Sequence, residues 1–303
     1  MEVMQHFEVK VPGSTANLGP GFDSFGLALP LYLTIRVKRA KATSIKLIGD
    51  NLELLPTDES NLIYSTIKYF HNLYGQKIPT IEIEIESEIP LSRGLGSSGA
   101  AIIGGLLVAN QLLGNKATVE EIFQIAANIE GHPDNVGASL YGGFVITAMD
   151  REQAKIEKLT PQKGLHLLLV IPKYTLSTKI ARGCIPESIP IKDTAFNIGH
   201  ASLLLVYLLT GQYNKLSIAM KDKVHQPYRQ SSVRGLERLL KESEDTGLFS
   251  TALSGAGPTI LLLVDSNNLE KAKIAVNKII EEEKIDAEVK TLSYCNTGAE
   301  IIF

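Results

Sequence analysis

The segment Pro90 to Ala101, PLSRGLGSSGAA, holds the densest group of residues able to do chemistry. It joins an expected strand to an expected helix. Gly94, Gly96 and Gly99 let the backbone turn sharply and approach a ligand closely. Ser97 and Ser98 add hydroxyl donors, and the first N–H groups of a helix lack partners within it. Free donors at the positive end of a helix dipole make an anion site suited to a phosphate. GLGSSG also matches the dinucleotide pattern G-x-G-x-x-G, which needs a second parallel strand ending in an acid about 20 residues on. Glu120 and Glu121 stand at that distance but open a helix instead. A Walker A loop needs a lysine after its glycines, and none follows here. A triphosphate site of a third kind is the better reading.

Other polar groupings surround this one in the sequence. Pro12 to Asp23, PGSTANLGPGFD, combines glycines and prolines with Ser14, Thr15, Asn17 and Asp23, the density expected of a shaped binding loop. Glu130 to Gly137, EGHPDNVG, closes a helix and packs Glu130, His132, Asp134 and Asn135 together. Magnesium needs only one or two protein ligands when substrate phosphates complete its shell, so a single carboxylate there suffices. Ser254 to Thr259, SGAGPT, reads equally as a tight turn or a ligand wall. Arg182 and Arg229 lie in mixed loops, and each taken alone reads as a solvated or salt-bridged arginine.

Together these segments resemble a known family. PLSRGLGSSGA resembles the second motif of the GHMP kinases, the phosphate loop of galactokinases and of homoserine, mevalonate and phosphomevalonate kinases. LSGAGPT resembles their third motif. STANLGPGFDSFG and EGHPDNVGASLYGG are similar to the pattern of homoserine kinases in particular, and the likeness runs from Lys10 to Leu263. The resemblance implies an α+β fold of two lobes, the first like domain 2 of ribosomal protein S5 and the second ferredoxin-like. It implies ATP and Mg2+ between them, and phosphoryl transfer to the side-chain hydroxyl of L-homoserine, a step of threonine synthesis. It also allows a homodimer.

Carried over by position, the resemblance assigns Pro90, Leu91, Ser92, Arg93, Gly94, Leu95, Gly96, Ser97, Ser98, Gly99 and Ala100 to the nucleotide, with Asn61 near its base. Ser97 and Glu130 are the implied magnesium ligands. Thr178 falls near the transferred phosphate, with Asp134 and Asn135 at the catalytic turn. Asn17, Asp23, His132, Arg182 and Arg229 match the amino-acid pocket. That set suits a zwitterion, which wants a carboxylate for its ammonium and a guanidinium for its carboxylate. Gly13 and Gly99 replace alanines of the common pattern, and Gln124 stands where many relatives carry the metal-binding Glu. Asn135 occupies the place of an Asp base in some relatives, and an amide cannot accept a proton. Transfer then relies on positioning and charge stabilisation. Mevalonate and shikimate kinases are the nearest alternatives, and a non-catalytic ATP-binding regulator is the alternative from another class.

The elements that must position these residues follow from periodicity. Phe7, Val9 and Val11, then Leu31 to Val37, then Ile81, Ile83 and Ile85 alternate with polar residues as strands do. Ile63, Ile67, Phe70 and Tyr74 recur at helical spacing ahead of Gly75. A small-residue helix follows the glycine loop through Leu113, and Thr118 with Glu121 forms a capping box for the next. The charged stretch 150–163 reads as a connection. Beyond it come a strand over 165–171, helices near 194–221 and 230–243, a strand over 259–264, a helix over 267–283 and a strand over 286–293. A mixed sheet with helices on one side fits this order, with lobes over 1–155 and 156–303.

Bulk properties exclude several classes. At 303 residues the chain is about twice the commonest domain length, so two lobes are expected. Its net charge of −3 gives no basic surplus for a nucleic acid. The longest apolar tract, Ala100 to Leu113, is too short and too interrupted by Gly104, Gly105, Asn110 and Gln111 to span a membrane. Met1 to Lys10 carries no apolar run of a leader. Cys184 and Cys295 lack metal-like spacing and fit reduced thiols, so the expected compartment is cytoplasmic.

Overall fold

The computed structural model describes residues 6–49, 52, 53 and 55–303; the first half of the Met1 to Lys10 segment lies outside the described residues. β1 (His6–Asn17) and β2 (Gly21–Arg39) form the spine of the first lobe. Val9, Val11, Leu33 and Ile35 bury on one face, and β4 (Ile81–Ser87) adds Ile81, Ile83 and Ile85. The sheet runs β11–β1–β2–β4–β3, with β3 (Ser44–Ile48) parallel to β4 and β11 (Glu300–Ile302) antiparallel to β1. A hairpin of β5 (Phe144–Asp150) and β6 (Gln153–Leu159) joins it through β2.

The helices of this lobe are α1 (Leu62–Leu73), α2 (Ser97–Leu112), α3 (Val119–Glu130) and α4 (Asp134–Tyr141). α2 is buried nearly all round, which explains its lack of a polar face. Its internal glycines are close-packing points. A Cβ at Gly104 would overlap Ile35, and one at Gly105 would press on the Ile63 carbonyl and Thr66. Ile103 and Leu106, both fully buried, each contribute about 1.5–3 kcal/mol by leaving water. α3 starts at the expected capping box: Thr118 Oγ1 accepts from Glu121 N at 3.2 Å, and Glu121 Oε2 accepts from Thr118 N at 2.8 Å. Gly131, with φ 84°, ends it.

The second lobe is a four-stranded antiparallel sheet in the order β10–β7–β9–β8. β7 is Leu165–Pro172, β8 Ser250–Leu253, β9 Ile260–Asp265 and β10 Ala287–Leu292. Taken in chain order this is the 4-1-3-2 arrangement of a ferredoxin-like sheet. The long connection from β7 to β8 contains α5 (Thr178–Gly183), α6 (Ile191–Thr210), α7 (Leu216–Ala219), α8 (Gln226–Arg229) and α9 (Leu236–Thr246). α9 and α10 (Leu269–Glu282) cover one sheet face through Leu236, Leu239, Val276 and Ile279. The other face, with Leu167, Leu169, Leu261 and Leu263, joins the cluster containing Val9, Ile35 and Leu106, so one core spans both lobes.

Several elements depart from the sequence reading. The division at 155/156 falls inside β6, and β11 brings the C-terminal end back to the first sheet. The charged stretch hides a one-sided strand, in which Ala154 and Ile156 alternate with exposed polar residues. β3, β8 and β11 are 3 to 5 residues long and carry too few alternations to register. The helix expected to 221 stops at Thr210 because Gly211 turns left-handed, and the one expected from 230 begins after Gly235 for the same reason. Two sheets replace the single mixed one. Among the described residues no helix is long and apolar enough to cross a membrane.

Candidate active site

Three distant turns meet at the centre of the molecule. The stretch Pro12 to Asp23 is not an open loop: β1 runs to Asn17 and β2 starts at Gly21, leaving a tight turn between them. Asn17, Leu18, Gly19 and Asp23 all have positive φ there. Asn17 secures the turn by accepting from Asp23 N at 3.0 Å and donating Nδ2–H to the Gly255 carbonyl at 3.0 Å. Ser14 N donates to Leu95 O, Gly255 N to Ala16 O, and Ser254 Oγ to Gly94 O at 2.6 Å. The glycines of the phosphate loop serve this packing. A Cβ at Gly96 would overlap Ser14 Oγ, and one at Gly94 would overlap the Ser254 carbonyl. Both also need their positive φ, 73° and 71°.

Two cavities open on either side of the phosphate loop. The larger, about 1390 Å³, is walled by apolar Leu33, Ile63, Ile85 and Ile89, and Asn61 lines it. Asn61 caps α1 through Ile63 N and donates to Pro56 O, so its amide shapes the loop above the cavity. The smaller, about 570 Å³, is lined by charged and polar groups including Asp23, Glu130, His132, Asp134, Arg182 and Arg229. Ser92, Ser97 and Ser98 line both. The cavities therefore touch at the first turn of α2, where unpartnered N–H groups can hold an anion.

Glu130, at the end of α3, accepts from Ser98 Oγ at 2.6 Å. The serine brought to this carboxylate is thus Ser98, next to the expected Ser97. Gln124 is spent elsewhere: its amide clasps the Ala154 backbone at 2.6 and 2.8 Å and so fastens α3 to β6. EGHPDNVG not only ends α3 but opens α4, whose first residue Asp134 is 1% exposed. Asp134 Oδ1 accepts from His132 Nδ1 at 2.7 Å, from Asn135 N at 2.7 Å and from Asn135 Nδ2 at 3.3 Å. Asn135 Oδ1 in turn accepts from Ser14 Oγ at 2.9 Å.

Burial alone lowers the His132 pKa, but the hydrogen bond and charge of Asp134, with Glu130 adding, outweigh it and raise the value above the usual histidine range. A raised folded-state pKa contributes stability below the unfolded value, near pH ~6.5, and that stability is lost as pH rises through the folded value. The thermal midpoint of His132→Gln should therefore fall further below wild type at about pH 6 than at about pH 9. An equal gap at both pH values would show that the histidine is not charged in the folded protein.

The opposite wall is cationic. Arg182, on α5, grips Asp23 with two hydrogen bonds of 2.6 and 3.0 Å, so these two expected ligands hold each other. Arg229 is 2% exposed, and its hydrogen bonds go to neutral acceptors: the Ala181 carbonyl, the Gly255 carbonyl and His225 Nδ1. Burial, then the Arg182 charge, lower its pKa. The Phe22 ring centre is 5.5 Å from each of the two guanidiniums, and the ring stacks on His225. Thr178, the first residue of α5, completes the rim.

Most expected site residues converge here, with some exceptions. Leu91, Ser92 and Arg93 line the larger cavity, yet the Arg93 guanidinium is bound to the carbonyls of Leu91, Pro172 and Lys173 and clamps the loop to the second lobe. Leu95 and Ala100 are core side chains, Gly99 packs beside Asn135, and Pro90 lines a neighbouring cleft. The sequence reading missed Phe22, Asp222 and His225, and gave Ser14 no role. Asp222, His225 and Pro227 at the start of a short helix were the available signal. Asp23, His132 and Asp134 place ligand atoms within 4.8 Å of one another. Each is already paired with a cation or a donor, so this is a charge network more than a metal cage.

Comparisons with known proteins fit this geometry. The model of the GHMP kinases N terminal domain matches residues 61–143, and that of the GHMP kinases C terminal matches 204–282. The chain is 38% identical to a homoserine kinase of Clostridium beijerinckii, over 97% of this chain and 98% of the relative. It is 40% identical to one from Nostoc punctiforme, over 99% of each. The crystal structure of a homoserine kinase from Cytophaga hutchinsonii superposes with TM-score 0.86 at 28% identity, covering 100% of this chain and 99% of that one.

Proposed function

The chain belongs to the homoserine kinase family of GHMP kinases, and on that footing we propose that it transfers the terminal phosphate of ATP to the side-chain hydroxyl of L-homoserine. The observation that carries this reading is the meeting of two unlike cavities at Ser92, Ser97 and Ser98. The apolar one suits a nucleoside, the charged one suits an amino acid, and a phosphate chain at the start of α2 links them.

The charged cavity matches a zwitterion in kind. Asp23, Glu130 and Asp134 face Arg182, Arg229 and His132, so groups of both signs stand ready for the two ends of a zwitterion. Arg229, buried and bonded only to neutral acceptors, receives the substrate carboxylate; Asp23, steadied by Arg182, faces the ammonium. Asn135, fixed by Ser14 and Asp134, and Thr178 orient the hydroxyl and the phosphate. Little proton removal is needed before a loose phosphoryl-transfer transition state, so positioning replaces a strong base.

Mg2+ fits the residues present. The Glu130 carboxylate and Ser98 hydroxyl are hard oxygen donors already together at the phosphate end of α2. When bound, the ion supplies charge neutralisation on the phosphates. The enzyme works in the cytoplasm, where its two free cysteines stay reduced. The test is ATP turnover against L-homoserine, mevalonate, shikimate and galactose. Turnover should require homoserine and a divalent cation; equal or faster use of mevalonate would overturn the assignment.

A further inference from the structure

His225 touches neither cavity directly, yet it joins two of their walls. It is fully buried at the start of α8. Its Nε2–H donates to the Gly19 carbonyl at 2.8 Å, so Nδ1 is left as an acceptor, and Arg229 Nη1 donates to it at 3.2 Å. Gly19 lies in the turn between β1 and β2, the turn that also sets Phe22 and Asp23. Asp222 fixes the histidine backbone: its two carboxylate oxygens accept from Asn197 Nδ2, Val224 N, His225 N and Gln226 N. Phe22 closes the ring face at 5.3 Å.

We infer that His225 is a positioning residue for substrate recognition: as the Nε2–H tautomer it presents Nδ1 to the Arg229 fork, and so sets where the substrate carboxylate binds. The geometry favours this over a packing role. A buried guanidinium has long torsional reach, and its bonds to the Ala181 and Gly255 carbonyls leave Nη1 with a weak 3.3 Å contact apart from the histidine. His225 supplies an acceptor without a negative charge. A carboxylate in its place would neutralise Arg229 and compete with the substrate. This inference rests on Arg229 receiving the substrate carboxylate.

Two substitutions separate the two ring nitrogens. The amide oxygen of Asn sits as many bonds from Cα as Nδ1, and the amide nitrogen of Gln as many as Nε2. His225→Asn thus keeps an acceptor for Arg229 and loses the Gly19 bond; His225→Gln keeps the Gly19 donor and moves the acceptor oxygen one bond beyond the Nδ1 position, out of register with Arg229. His225→Gln should raise KM for L-homoserine about tenfold with KM for ATP unchanged, whereas His225→Asn should stay within about threefold. In an Arg229→Ala background His225→Gln should cost nothing further. The reverse order of the two variants, equal losses for both substrates, or additive losses in the double variant would each overturn the inference. The intact protein gives an independent reading by 15N NMR. The imidazole should show a protonated Nε2 and a bare Nδ1 that shifts on adding L-homoserine but not ATP. An Nδ1–H tautomer, or no response, contradicts the role. Wild type that fails to use homoserine at all would instead sink the functional reading beneath it.

Discussion

Arg229→Ala should raise KM for L-homoserine by about 2–5 kcal/mol in binding, roughly thirtyfold to several thousandfold, while KM for ATP moves little. The size follows from burial. Arg229 is 2% exposed, makes hydrogen bonds only to neutral partners, and lies in a cavity that shares its wall with Asp23 and Arg182. A charge-assisted contact in such a place is worth far more than a surface ion pair. Arg182→Ala should cost less at the carboxylate, because its fork is committed to Asp23 and both side chains are about a third exposed. Homoserinol, which lacks the carboxylate, supplies the control. It should react poorly with wild type and lose little more in Arg229→Ala. Steady-state kinetics with both acceptors decide the point, and a large further loss with homoserinol would place Arg229 elsewhere in the reaction.

The second large effect concerns the turnover step. Asn135→Leu should lower kcat by about 10²-fold, the cost of misplacing the reacting groups, while Asp134→Asn should be milder. Asn135 lines the cavity with its amide fixed at both ends: Oδ1 takes the Ser14 hydroxyl and Nδ2 reaches Asp134. Leucine keeps the bulk, loses both bonds and leaves Ser14 Oγ without its best partner. Asp134 has one oxygen already occupied by three donors, His132 Nδ1 among them, which suits an orienting anion better than a proton acceptor. Replacing it with Asn keeps the shape and removes the charge that raises the His132 pKa. kcat measured against pH for both variants separates the roles. A flattened acidic limb with about a thousandfold loss in Asp134→Asn would make that carboxylate the general base.

Much of the site was legible because its chemistry is carried by short, ordered groups of residues. The glycines and serines of the phosphate loop, and EGHPDNVG at a helix end, announce polar turns whatever the fold around them. What sequence could not give is who packs against whom. Gly94 and Gly96 were read as making room for a ligand, yet their missing side chains make room for Ser14 and Ser254 from the other two turns. Asp23 and Arg182 were assigned to opposite ends of the substrate, and 159 positions of separation hid that they grip one another. α4 escaped because DNVGASLY has small residues and no apolar stripe; tertiary packing against β1, β2 and α2 makes it a helix. β11 escaped because a 3-residue strand has meaning only beside β1. Glu130 was identifiable by type, but its pairing with Ser98, next to the expected Ser97, needed the helical register of α2.

The most direct measurement is the 31P NMR spectrum of the products formed from ATP, Mg2+ and L-homoserine by the wild-type protein. A kinase acting through the junction at Ser92, Ser97 and Ser98 should convert the γ-phosphate of ATP into a phosphate monoester coupled to the homoserine γ-methylene protons, in step with ADP. Inorganic phosphate as the sole product, or ATP left unconsumed beside homoserine, would contradict the account.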